Sequence, residues 1–251
     1  MFNDSPRKFQ LVGHRGWPEK YPENSLPGIR ATLEFGVDGV ELDIQLSADG
    51  VPVLMHDEGL MRVCGQDLNV GELGYDELKE ISCHESQRFG NEHFSCPIVS
   101  LEELCQSLNS YEATFYIEIK HESFERFSRE YILNAVLDAS SSLDKAQRVI
   151  ISFDYDVVKL ARDLHDETIG WVIKYYDEES HQKARSLEPD YLICNYTKFP
   201  KEEGEAENSF AKLWAGSWQW FIYDLVDKSM VDQLVDLDVK VIETWDIESL
   251  V

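Results

Sequence analysis

The chain lacks any apolar run of the roughly 20 residues that a membrane-spanning helix needs, so no integral membrane segment is expected. Residues 1–10 hold no apolar core of the kind that precedes secretion, so no leader is expected there. Basic residues are scarce: 23 Lys and Arg stand against 48 Asp and Glu, a formal net charge of -25. That balance argues against nucleic acid and anionic membrane surfaces as partners. It also denies an anionic substrate long-range attraction, so any anion site must reverse the field locally. Cysteine is sparse and odd in number: Cys64, Cys83, Cys96, Cys105 and Cys194 show no paired spacing. A disulfide framework is therefore not expected, and a reducing cytoplasm fits. No internal repeat, low-complexity tract or linker stands out, and Glu202–Glu207 reads as an exposed acidic loop.

Against these absences, the first quarter of the chain is dense in chemistry. Leu11-Val12-Gly13-His14-Arg15-Gly16 is followed by Glu41-Leu42-Asp43 and then by His56-Asp57. Two imidazoles, a guanidinium and two carboxylates are the groups that metal-assisted cleavage of a phosphate ester uses. Residues 40–47 alternate apolar and polar, so Glu41 and Asp43 point to one face of a strand. Asp49-Gly50 fits a two-residue hairpin turn. That turn pairs Ala48 with Val51 and places Asp43 opposite His56, on the same face. A slip of one residue would reverse the side on which His56 emerges.

The rest of the chain alternates strand-like with helix-like runs. Strands are expected at 9–13, 39–47, 114–120, 148–153, 169–175, 190–195, 218–225 and 239–244, with 51–55 as a hairpin excursion. Helices are expected at 25–35, 124–137, 156–164 and 229–237. The first has Ser25 as its cap, Pro27 in the first turn and Gly36 as its stop. Eight strand–helix units in 251 residues predict an α/β fold, a TIM-type (β/α)8 barrel. Residues 1–251 then form a single barrel domain, with 58–101 as a capping insertion after the second-strand hairpin. Whether that insertion touches substrate or is a plain surface excursion stays open. His84 and His93 within it read as surface residues. In such a barrel the ends of strands carry function, which singles out His14, Arg15, Glu41 and Asp43. Glu118 and Lys120 end the third strand and share a face, either as site residues or as a structural ion pair at the rim. Ser152, Phe153 and Asn195 also end strands and are candidate pocket lining. Trp214, Trp218 and Trp220 read as packing rather than a ligand cage.

Taken together, His14-Arg15-Gly16, Pro22-Glu23-Asn24-Ser25, Glu41-Leu42-Asp43, the 47–50 turn, His56-Asp57 and Glu118-Ile119-Lys120 resemble the glycerophosphodiester phosphodiesterase family. The resemblance runs from Leu11 to about Thr244. It implies a divalent metal, Mg²⁺ or Ca²⁺, on Glu41, Asp43 and Glu118. It implies acid–base work by His14 and His56 and phosphate binding by Arg15 and Lys120. The neighbouring glycerol hydroxyl would attack first, and water would open the cyclic phosphate. An all-carboxylate site is hard and agrees with those ions.

Two stretches depart from the family. Tyr223-Asp224-Leu225-Val226 stands where many members have Trp-Thr-Val-Asn, leaving Tyr223 as the substrate-binding aromatic. Val241-Ile242-Glu243-Thr244-Trp245 departs from the usual small-residue and Thr-Asp pattern. The reading is a hydrolase releasing glycerol 3-phosphate and an alcohol from a small-molecule diester. Two alternatives remain: a related phosphodiesterase or phospholipase D-like lyase acting on lysolipids, and a non-catalytic phosphodiester-binding barrel. A lysolipid would need an apolar groove, for which Phe89, Phe94 and Phe199 are scattered candidates.

Overall fold

A computed structural model describes residues 7–199 and 213–251. The acidic stretch Glu202–Glu207 and the first six residues lie outside them. Nine strands form one sheet: β1 (Gln10–Gly13), β2 (Gly39–Leu46), β3 (Pro52–Leu54), β4 (Thr114–Ile119), β5 (Arg148–Ser152), β6 (Thr168–Val172), β7 (Tyr191–Asn195), β8 (Gln219–Tyr223) and β9 (Val241–Thr244). Strand β1 pairs in parallel with both β2 and β9, so eight parallel strands close into a barrel. Strand β3 is antiparallel to β2 and is also bridged at Val53 to Ser100. The expected (β/α)8 architecture is what forms.

Alternation explains the core. One set of side chains, Val12, Tyr116, Val149, Ile151, Val172, Ile193, Phe221 and Val241, fills the barrel interior. The other set, including Leu11, Leu42, Ile117, Ile150 and Ile242, packs outward with Trp218 and Trp220 in the main cluster. The tryptophans are thus packing, as expected. Because side chains two apart share a face, the interior set continues upward into His14, Glu41, Asp43, Glu118 and Glu243.

The first helix, Leu26–Phe35, keeps the expected signals: Ser25 Oγ accepts from Gly28 N, and Gly36 closes the helix at φ 89°. Helix Tyr155–His165 and helix Lys228–Asp236 lie where amphipathic runs were expected. The run at 124–137 is corrected. Residues His121–Glu125 are a 3₁₀ turn, and the helix spans Arg129–Ala139, with Ser128 Oγ capping Tyr131 N.

The hairpin register is also corrected. Ile44 pairs with Leu54 and Leu46 with Pro52, one residue away from the expected pairing, so Asp43 faces Met55 rather than His56. The turn holds three residues rather than two. Ser47 N donates to Val51 O, and Gly50 sits at φ 83°, the left-handed position that a three-residue hairpin requires. Ser47 Oγ holds this turn by accepting from Val51 N and donating to Asp49.

Residues between β3 and β4 include the short helices Met61–Cys64, Tyr75–Leu78 and Ser86–Phe89, with a cluster of their own around Leu60, Val70 and Leu78. A Cys64–Cys83 disulfide crosses this segment, against the expectation that no cysteines pair. Their 19-residue separation matches no metal or redox motif, so only folding of the insertion brings them together. His84 and His93 are partly exposed: His93 packs against Tyr21 and Phe89, and His84 against Phe94. Among the described residues no helix is long and apolar enough to cross a membrane.

Candidate active site

Strand ends at one mouth of the barrel bring the charged residues together. Asp43 and Glu118 are directly paired across β2 and β4. One oxygen from each of Glu41, Asp43 and Glu118 lies within 4.8 Å of the others, and all three residues are buried. Lys120 Nζ reaches Glu118 Oε1 at 3.0 Å and Asp43 Oδ1 at 3.2 Å. Arg15 Nε stands 3.0 Å from Asp43 Oδ2, and its Nη1 3.1 Å from Glu23 Oε1. Three buried carboxylates thus meet two cations.

The electrostatics follow. Burial and the neighbouring Asp43, Glu243 and Glu118 push the Glu41 carboxyl well above the usual carboxylate range. Asp43 goes the other way: burial would raise it, but Lys120 and Arg15 hold it low. Burial lifts Glu118 despite Lys120. Glu41 Oε2 accepts from Arg15 N at 3.0 Å, while its Oε1 is buried without a hydrogen-bond partner. An orphaned buried oxygen among clustered carboxylates is costly unless a cation joins it. This donor set therefore fits a divalent ion bound by oxygen.

Strained backbone aims these groups. Arg15, Asn24 and Asp224 adopt left-handed φ angles of 54°, 52° and 68°. Such non-glycine residues persist where surrounding bonds over-determine them. Asn24 is clamped on Asp43 at two points, donating Nδ2 to Oδ2 at 2.8 Å and accepting Asp43 N at 3.1 Å. Its own N–H donates to Arg15 O.

His56 reaches the site by a route that register alone did not supply. The chain leaves β3 after Leu54. The buried Gln45 amide donates Nε2 toward the carbonyls of Met55, His56 and Asp57 at 3.1, 3.1 and 2.7 Å. That clamp turns the backbone and returns His56 to within electrostatic reach of Asp43. His56 Nδ1 bonds Asp57 Oδ1 at 2.6 Å. Arg62 holds Asp57 Oδ2 at 2.6 Å and both oxygens of Glu23 at 2.7 Å. Burial, with Arg15 and Lys120 adding to it against Asp43, lowers the His56 pKa.

His14 is placed differently. Its Nδ1 lies 3.3 Å from Asp224 Oδ1, and its Nε2 faces Glu41 Oε2 at 4.0 Å and Glu243 Oε1 at 3.9 Å. Burial works against its protonation, but Glu243 and Asp224 outweigh that and raise its pKa. Burial, resisted by His14, lifts Glu243 to about 7. The Tyr223 ring stands 6.3 Å from the His14 ring, which makes it a wall beside that imidazole.

All eight residues singled out from sequence therefore stand at one barrel mouth. Ser152 does not join them, because its hydroxyl donates to Ile119 O and accepts from Asp154 N. Asn195 reaches the edge of the site through Asp224, donating to its Oδ2 at 2.7 Å. Arg62 and Gln45 were missed, and Glu23, Asn24, Asp224 and Glu243 were noted only within longer stretches, with no role at the site. Strand parity was the available signal for Glu243, two residues beyond the interior Val241.

Residues 14–242 match the glycerophosphoryl diester phosphodiesterase family. The chain is 28% identical over 128 residues to glycerophosphodiester phosphodiesterase 1 of Homo sapiens, covering 50% of this chain and 39% of that one. The chain thus spans about two-fifths of that curated relative's length. Among solved structures, a phosphodiesterase of Oleispira antarctica, in complex with the product sn-glycerol-3-phosphate, superposes with a TM-score of 0.82 at 20% identity. That match covers 96% of this chain and 94% of the other. A glycerophosphodiester phosphodiesterase of Thermotoga maritima superposes at 0.70 with 26% identity, covering 97% of each chain.

Proposed function

Because the chain belongs to the glycerophosphoryl diester phosphodiesterase family, we propose that it hydrolyses glycerophosphodiesters to glycerol 3-phosphate and an alcohol with a divalent ion, Mg²⁺ or Ca²⁺. The observation that carries this is the buried Glu41–Asp43–Glu118 cluster set between Arg15, Lys120 and two imidazoles. The glycerol 3-phosphate held by the Oleispira relative supports the same product class.

In this reading Glu41, Asp43 and Glu118 hold the ion, which when bound supplies positive charge to the phosphate oxygens. Arg15 and Lys120 orient the phosphate and stabilise charge as it redistributes. The attacking hydroxyl must lose a proton and the leaving alkoxide must gain one. His14 and His56 perform those transfers. Each has its Nδ1 beside a carboxylate, Asp224 or Asp57, which leaves Nε2 for the reacting atoms. Tyr223 lines the substrate side of His14. We read residues 1–251 as one barrel unit with 58–101 as a wall of the site, supported by the Arg62 and Glu85 contacts to Glu23. A cytoplasmic setting belongs to this reading with one condition: a reducing compartment would hold Cys64 and Cys83 as thiols.

The test uses purified protein stripped with a strong chelator, then given Mg²⁺ or Ca²⁺. Release of glycerol 3-phosphate is measured from water-soluble diesters and, in parallel, release of the head-group alcohol from lysolipids. Activity on soluble diesters should vanish with the metal and return with it. Turnover that survives metal removal, or turnover confined to lysolipids, overturns the reading.

A further inference from the structure

Glu243 has no part in the function proposed above, yet it is one of the costlier residues in the barrel. It sits on β9, two residues above Val241, so its side chain enters the interior. Only 3% of it is exposed, and its Oε1 has no hydrogen-bond partner. A buried carboxylate in that state needs a cation or a proton. Its Oε1 points at His14 Nε2 from 3.9 Å, and Glu41 Oε2 approaches the same nitrogen at 4.0 Å. Both distances exceed hydrogen-bond range. Donor atoms from His14, Glu41 and Glu243 all fall within 4.8 Å of one another. Ligands at about 2.0–2.2 Å around a single tetrahedral ion lie roughly 3.5 Å apart, so small side-chain shifts bring these three donors to one ion.

We propose that His14, Glu41 and Glu243 form a second divalent-cation site, sharing Glu41 with the carboxylate cluster and suited to a first-row ion of the zinc class. The inference rests on the proposed function for the neighbouring carboxylate site and for the role of His14.

Three features fit this site to that ion. The donor set mixes an imidazole with two carboxylates, whereas Glu41, Asp43 and Glu118 offer oxygen alone; nitrogen ligation favours borderline metals. Three protein ligands leave a position open, as in zinc sites that exchange water or substrate. Behind the imidazole, Asp224 lies 3.3 Å from Nδ1 and is itself held by Asn195 Nδ2 at 2.7 Å. A carboxylate on the far ring nitrogen is the usual support of a metal-binding histidine, because it fixes the tautomer with Nε2 free to coordinate.

Occupancy has a consequence for turnover. A cation on Nε2 takes the lone pair that proton transfer requires, so a second ion inhibits the enzyme that the first ion activates.

The experiment holds the whole protein at saturating Mg²⁺ and adds Zn²⁺. Bound zinc is counted by equilibrium dialysis, and its ligands are read by zinc X-ray absorption. Wild type should take up one zinc per chain with an imidazole in its shell, and turnover should fall as zinc binds. Glu243→Gln, of nearly the same shape, should weaken zinc by at least about tenfold, a loss that even an outer-shell change can reach, and inhibition should weaken with it. Should that variant fail to fold, Asp224→Asn keeps all three ligands and should weaken zinc by roughly 10- to 100-fold. The proposal is overturned if no zinc binds, if its shell holds only oxygen, or if neither folded variant differs from wild type. Zinc binding is read without turnover. An inactive protein that still binds zinc through His14 defeats the proposed function alone, and a Mg²⁺-dependent enzyme blind to zinc defeats this inference alone.

Discussion

Lys120 is the residue whose role is least settled by its surroundings. Its ammonium lies between Glu118 and Asp43, which raise its pKa against burial, so it is charged at any ordinary pH. If it only neutralises those carboxylates, Lys120→Met should lower the melting point and leave turnover alone. If it also holds phosphoryl oxygens, kcat/KM in saturating Mg²⁺ should fall by roughly 10²-fold or more in a folded protein, comparable to losing one transition-state donor. We expect the second outcome, and thermal melts beside steady-state kinetics decide it: a lowered melting point with wild-type kcat/KM refutes the phosphate role. Glu41, Asp43 and Glu118 could be read from sequence because alternation within each strand fixes their faces. Glu243 obeys the same alternation, two residues beyond the interior Val241, but nothing else on its strand marks it. Buried acids on other strands, which alone explain why a carboxyl there matters, are invisible along the chain.

Among the elements, helix Tyr155–His165 offers a clean test of capping. Asp154 Oδ1 accepts from Val157 N at 2.9 Å, while Arg129 grips both carboxylate oxygens at 2.6–2.7 Å. Burial would raise the Asp154 pKa, but the Arg129 and Val157 bonds lower it. Asp154→Ala should cost about 1 kcal/mol, the usual value of such a cap. A folded pKa below the unfolded value means the stabilisation is present above about pH 3.9 and is lost as pH falls through the folded value. Melting curves of the two proteins should therefore differ at pH 6 and converge in stronger acid; a gap that persists there contradicts the ionic cap. Local signals of this kind located all eight barrel strands but only four of the nine helices among the described residues; Leu101–Leu108 and Glu178–Leu187 went unread. They failed where two signals competed. Ala48-Asp49-Gly50 accommodates either a two- or a three-residue turn, and the Ser47 hydroxyl selects the longer one. Phe124 and Phe127 mimic helical spacing, but Ser128 caps a helix that starts after them. His56 lies near Asp43 despite the different register, because Gln45 holds the backbone that follows β3.

Across the whole molecule, a net charge of -25 surrounds a site proposed to take an anion. Arg15 and Lys120 attract at contact, yet at longer range the acidic surface repels. Raising ionic strength from about 0.01 to 0.15 M shortens the screening length from roughly 30 to 8 Å. At constant Mg²⁺, kcat/KM for an anionic diester should therefore rise over that range, and a fall would show that attraction already dominates at a distance. The eight-unit barrel follows from the pattern of strand-like and helix-like runs. The Cys64–Cys83 bond does not, since a spacing of 19 becomes a contact only after the insertion folds. That insertion packs around Leu60, Val70 and Leu78, apart from the barrel core. His56 and Asp57 lead into it, whereas His14 is rooted on β1. The two imidazoles therefore stand beside different hydrophobic clusters, and segments with small clusters of their own are the ones that open below the free energy of global unfolding. The approach of His56 to His14 is then set by how firmly Arg62 and Gln45 hold the insertion to the barrel.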